Sequence, residues 1–165
     1  MVNLLSRNLK LFLLRYLGFV PDALMLRVQY FLKLRRWLNF ARPQRFTEKL
    51  QWYKLNWRDP LMSRCVDKYE VRDFVQERGC GEFLIPLIGL FESVQDIVWD
   101  ALPRRFVLKT TNGSHTNIIC HDKASLDQAA VLLKLDRWCG DWQGVSPGRE
   151  WPYEGLRPRI VCEEL

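Results

Sequence analysis

The segment FVLKTTNGSHTNIIC, residues 106–120, constrains the fold of this chain more than any other stretch. Residues 105–111, RFVLKTT, alternate well enough to be a strand entering a polar loop, and 118–120 supply an apolar return strand. Asn112-Gly113 between them is the strongest short-range signal for a chain reversal, because glycine accepts backbone conformations that other residues avoid. The chain must therefore hold an antiparallel strand pair with a lysine, Lys109, near the end of its first strand.

Other elements follow from apolar spacing and turn residues. Helices are predicted over 4–17, 22–40, 47–55 and 61–79, with a Gly18–Pro21 break, Asp22 and Thr47 as caps, Asp59-Pro60 as a terminator and Gly79 as a stop. FLIPLIGLF (83–91) and 159–162 read as strands, 93–102 as a short helix and 125–138 as a longer one, and GVSPGREWPYEG (144–155) as a Gly/Pro-rich loop. With 165 residues, 48% of them hydrophobic, there is room for a helical lead-in plus one small α/β unit. The expected class is α/β (α+β), with a basic lead-in over 1–42 and a small mixed sheet within 43–165.

Charge is unevenly distributed. The net charge is +6, yet residues 1–45 hold nine Lys/Arg against the single acid Asp22, a local +8 that leaves −2 for the remainder. A basic stretch carrying Leu4, Leu5, Leu9, Phe12, Leu13, Tyr16 and Leu17 is suited to an anionic membrane surface, giving an expected peripheral contact through residues 1–40; a solvated basic helix face is the plainer reading. Nucleic-acid binding is not expected, since no recognition module accompanies the charge. Arg7, Lys10 and Arg15 interrupt the apolar N-terminal run, so neither a membrane span nor a secretory signal is read there, and a cytoplasmic location is expected. Five scattered cysteines without C-x-x-C spacing point to reduced thiols rather than a disulfide framework or a zinc site.

The 106–120 segment is also where chemistry is expected. Gly113 lets backbone N–H groups approach an anion, Ser114 and Thr116 add hydroxyl donors, and Lys109 can set an ammonium on phosphate oxygens. An ordinary hairpin explains the same residues. No Walker-type or G-x-G-x-x-G pattern occurs, and two histidines six residues apart without an acid cluster do not make a metal hydrolase. Lys68 could equally pair with Asp67 or Glu70 on its own helix, and Glu48 could simply be a capping acid.

Taken in order, Asp67-Lys68, Leu84-Ile85-Pro86, Lys109 with its loop, and Glu163-Glu164 closing a strand resemble the ATP-grasp superfamily. Pro43, Arg45–Trp52, Arg58–Leu61, Asp67-Lys68-Tyr69, Phe106–Lys109, Asn117-Ile118-Ile119, Gly148–Tyr153 and Glu163-Glu164 sharpen this to the TupA-like ATP-grasp proteins of teichuronopeptide and surface-polysaccharide biosynthesis. The resemblance covers nearly everything after residue 42 and identifies 43–165 as the N-terminal portion of such a domain.

The resemblance implies a nucleotide partner, ATP. Lys68 and Lys109 would contact its phosphates, Gly113 and Ser114 would lie in the covering loop, and Glu163 with Glu164 would form the nucleotide hinge. Arg149, Trp151 and Tyr153 are candidates for holding a polysaccharide or peptide acceptor, or else form a packed surface loop. Relatives usually carry Gly-Ser-Gly where this chain has Gly113-Ser114-His115, and the bulkier residue restricts the approach of the loop to phosphate. Mg²⁺ would accompany ATP, with ligands expected beyond residue 165, so the chain is expected to be incomplete as a catalyst. The implied activity is that of a carboxylate–amine ligase acting in cell-surface polysaccharide biosynthesis. The alternatives are a glycosyltransferase-class or accessory protein of polysaccharide assembly, or a truncated non-catalytic remnant.

Overall fold

The computed structural model describes residues 17–140 and 148–165. The expected helix over 4–17, apart from Leu17, and residues 144–147 of the Gly/Pro-rich loop lie outside the described residues. The described chain separates into two compact units, one holding 17–60 with 148–154, the other 61–140 with 155–165.

In the first unit, α1 spans Asp22–Leu34 and α2 spans Phe46–Asn56. α1 ends earlier than apolar spacing predicts, because Arg35 turns left-handed at φ 55° and returns its N–H to Phe31 O. Leu26, Tyr30 and Leu38 are buried together, with Phe40 and Leu55 packed against them. Thr47 is not the cap of α2. It lies inside the first turn, within hydrogen-bond distance of the Tyr30 hydroxyl at 2.9 Å, and the capping acid is Glu48, whose carboxylate accepts the N–H groups of Gln44 (2.9 Å) and Arg45 (3.0 Å).

Those N–H donors, Arg45 first and then Gln44, hold the Glu48 carboxyl below its ordinary value. A depressed carboxylate contributes stability that is fully present above its unfolded pKa of about 4.3 and is lost as pH falls through the lower folded value. Melting curves recorded between roughly pH 7 and pH 3 should therefore show the parent losing its advantage over Glu48→Gln as acid is added. A gap that stayed constant across that range would contradict the capping role.

The second unit begins in α3 (Pro60–Val66) and α4 (Glu70–Glu77), which replace the single helix predicted over 61–79. The break has a local cause. Asp67 accepts the N–H groups of Tyr69 (2.8 Å) and Glu70 (3.1 Å), starting a new helix, while the Lys68 N–H leaves the helical ladder for Thr111 O at 3.0 Å.

Four strands follow: β1 Leu87–Phe91, β2 Phe106–Thr110, β3 Asn117–Cys120 and β4 Ile160–Glu164. Their order in the sheet is β1-β4-β2-β3, and every pairing is antiparallel. The run 83–91 is strand only from Leu87, since Pro86 has no N–H to give a ladder and residues 81–83 wind into a 3₁₀ turn. Two 3₁₀ turns, 94–96 and 99–101, stand where a short helix is predicted. The later helix, α5 (Gln128–Gly140), buries Val131 and Leu135 but leaves Leu133 exposed.

Period-two alternation sorts the sheet into two faces. Phe106, Leu108, Ile160, Cys162 and Cys120 form one buried face with Val131 and Leu135 of α5. Burial there pushes the Cys162 thiol up to about 12, so it stays protonated. The chain is a mixture of α and β elements around an antiparallel sheet, and the opposite face of that sheet sets Lys109 and Glu163 beside the buried Val107 and Val161.

Candidate functional site

Lys109 follows Leu108 by one residue, so it must leave the core face. Its β4 partner is Val161, and the next residue of β4 on that side is Glu163. The Lys109 ammonium forms an ion pair with Glu163 Oε2 and is a quarter exposed, while Glu163 is almost wholly buried. Arg72 of α4 donates to the other carboxylate oxygen at 3.1 Å and, through its second nitrogen, to Ile85 O at 2.7 Å. One carboxylate is thus held between two cations from different elements.

Lys68 enters from the joint between α3 and α4. Its ammonium donates to Thr110 O (2.9 Å), Thr111 O (3.4 Å) and Gly113 O, so its three N–H groups all point at the carbonyls of the β2–β3 turn. Burial lowers its pKa, and the charge of Lys109 adds to that effect against the opposing charges of Asp67 and Glu163. Asp67 and Glu70 are taken by Arg159, at 3.5 and 2.7 Å. The whole network sets Lys68, Arg72, Lys109 and Arg159 against Asp67, Glu70 and Glu163, a surplus of one positive charge.

The turn itself is tightly closed. Thr110 N–H donates to Thr116 O (3.1 Å), and the two threonine hydroxyls are 2.6 Å apart. Thr111 exchanges hydrogen bonds with Arg159 at the entrance to β4. A Cβ on Gly113 would collide with the side chains of Thr110 and Thr116, so glycine is needed there for space. The left-handed residue is His115, at φ 61°, a conformation that glycine adopts more cheaply than a residue with a Cβ. Ser114 is exposed at the tip.

The structure therefore brings Lys68, Lys109, Gly113 and Glu163 together, with Ser114 at the rim. Glu164 leaves β4 toward the other face and is exposed, because neighbouring strand residues point to opposite sides. Arg149, Trp151 and Tyr153 belong to the first unit. There Arg149 is buried at a φ of 54°, bound to Asp22 (3.1 Å) and to the carbonyls of Leu17 (2.6 Å) and Gly18 (3.5 Å). Trp151 receives the guanidinium of Arg58 over its ring at 5.0 Å, and burial raises the Tyr153 phenol above its ordinary value.

Arg72 and Arg159 escape a sequence reading. Arg72 follows Lys68 by four residues, but Lys68 stands in the break before α4, so helical spacing does not pair them. For Arg159 no local signal exists, since its partners Asp67 and Glu70 are some ninety residues away.

A cavity of about 110 Å³ lined by Trp99, Asp100, Lys123, Leu126 and Gln128 includes none of these groups. Its lysine is occupied by the carbonyls of Trp99, Asp100 and Leu102. Among the described residues, no cluster of three or more His, Cys, Asp or Glu could hold a metal ion. The site's own carboxylates are committed to Arg72, Lys109 and Arg159, so these residues do not fit a Mg²⁺ site. No helix among the described residues is long and apolar enough to cross a membrane.

No curated protein and no solved structure matches the chain. The sequence model described as TupA-like ATPgrasp matches residues 48–165, well over half of the chain and all of the site above. The chain belongs to the TupA-like ATP-grasp family.

Proposed function

We propose that this chain binds ATP by its phosphates, at the Lys109 end of β2 and the turn that follows, as the nucleotide-holding part of an ATP-grasp protein. Its setting would be the cytoplasmic side of cell-surface polysaccharide assembly, where a carboxylate activated by ATP is joined to an amine. The observation that carries this reading is the partly exposed Lys109 ammonium beside a glycine turn, in a network with surplus positive charge.

Each residue has a part in it. Lys109 offers an ammonium whose only charged partner among the described residues is Glu163, and polyphosphate competes with that carboxylate for it. Lys68 acts on the turn. By drawing the carbonyls of Thr111 and Gly113 toward itself, it points the N–H groups of Asn112 and Ser114, which lie opposite them across trans peptide bonds, to the other side. Those amides and the Ser114 hydroxyl are suited to phosphate oxygens. ATP-grasp proteins in general use ATP with Mg²⁺; this reading assigns the described residues no metal-holding step.

A second reading, an accessory or glycosyltransferase-class protein of the same assembly, is favoured by the closure of the network: the donors of Lys68 are satisfied and Lys109 is already paired. Calorimetric titration with ATP, ADP, AMP and adenosine separates the two. Phosphate-led binding requires affinity to fall with each phosphate removed and to weaken as salt is added. Adenosine binding as well as ATP, or no binding in the series, would sink the nucleotide reading.

A further inference from the structure

We infer that the outer face of α1 is a docking surface for an anionic lipid bilayer. This rests on the first unit alone and is independent of nucleotide binding.

The helix has two apolar sides where a helix of a small folded unit has one. Met25, Leu26 and Tyr30 are buried inward. Leu24, Val28 and Leu32, spaced four residues apart and so aligned along the helix, are 51, 43 and 60% exposed. Phe31 lies on the same outer side, and Trp37 stacks on its ring with centroids 4.5 Å apart while remaining 70% exposed. Aliphatic side chains with an indole at their edge are the composition of a helix lying in the headgroup region, where tryptophan prefers to reside.

Charge selects the occupant. Arg27 on α1 and Arg35 at its C-cap border the stripe, and Lys33, Arg36 and Arg42 add to them; all five are exposed. From 22 to 47 the only acid is Asp22, and it is paired with Arg149. A second copy of this face would bring like charges together, and a nucleic-acid backbone would offer nothing to the leucines. An anionic bilayer satisfies both parts, with basic side chains at the lipid phosphates and the stripe below them.

The test is cosedimentation of the full chain with phosphatidylcholine vesicles, with and without phosphatidylglycerol. Binding is expected on the anionic vesicles and only weakly on the neutral ones. Val28→Glu with Leu32→Glu should reduce partitioning by about tenfold or more, as apolar burial is lost and negative charge is added. Arg35→Glu with Arg36→Glu should reduce it through charge alone, by roughly fivefold for each cation removed. All four positions are solvent-exposed, and circular dichroism with a thermal melt verifies that each variant folds. Binding that is equal on neutral vesicles, unchanged in both variants, or absent from anionic vesicles would overturn the inference.

Discussion

Lys109→Met is expected to weaken ATP binding by about a hundredfold, the loss of one or two charge-assisted hydrogen bonds at roughly 1.5–3 kcal/mol each. The substitution keeps most of the length of the side chain and removes its ammonium, with both charge and N–H donors. Stability should change little by comparison, since Glu163 retains Arg72 at 3.1 Å and is not left as an isolated buried charge. Lys109 also belongs to the face opposite Phe106 and Leu108, so the core is untouched. Glu163→Gln is the informative companion: it frees the Lys109 ammonium, and ATP affinity should hold or rise. Parent-like affinity in Lys109→Met would remove phosphate from the end of β2.

Arg149→Ala should destabilise the chain by about 3 kcal/mol, the scale of breaking a buried charge pair. The guanidinium is only 6% exposed, and it serves Asp22 and two carbonyls at once. Asp22 is a third exposed, so solvent recovers part of its loss and the effect falls at the low end of the range for fully buried pairs. Arg149→Lys should rescue little, because a single ammonium cannot reproduce a planar fork reaching both an acid and the Leu17–Gly18 carbonyls. Urea unfolding measures both. A loss under about 0.5 kcal/mol would mean that Arg149 is not a structural anchor.

The second strand pair shows what a linear reading captures. The β2–β3 hairpin, the lysine at its end and the small residue at 113 are legible because their causes are local: alternation, an Asn-Gly reversal, and ordered motifs shared with a family. Thr47 misleads for a related reason. Ser or Thr followed by an acid is a sound capping signal, but here the acid reaches back to Gln44 and Arg45, while the threonine is drawn to Tyr30, seventeen residues away.

The break at Asp67-Lys68 shows the same limit. Apolar spacing carries smoothly through 61–79; Asp67 restarts the helix by accepting the Tyr69 and Glu70 N–H groups, and the carbonyls of the distant β2–β3 turn draw Lys68 out of the ladder. Arg72 and Arg159 join the site through β4, a strand that follows β2 by some fifty residues yet lies beside it. Long-range pairing of that kind has no signature in composition or period. The antiparallel course of β1 and β4 is invisible for the same reason, since the direction of β4 depends on where the chain returns.

The central claim, that phosphate is received at Lys109 and the 111–116 turn, is tested most directly by hydrogen–deuterium exchange of the chain with and without ATP. The account predicts slower exchange confined to the amides of 109–116 and the Lys68 joint, and no such change with adenosine. Protection that appears elsewhere while these amides stay unchanged at saturating ATP would contradict it.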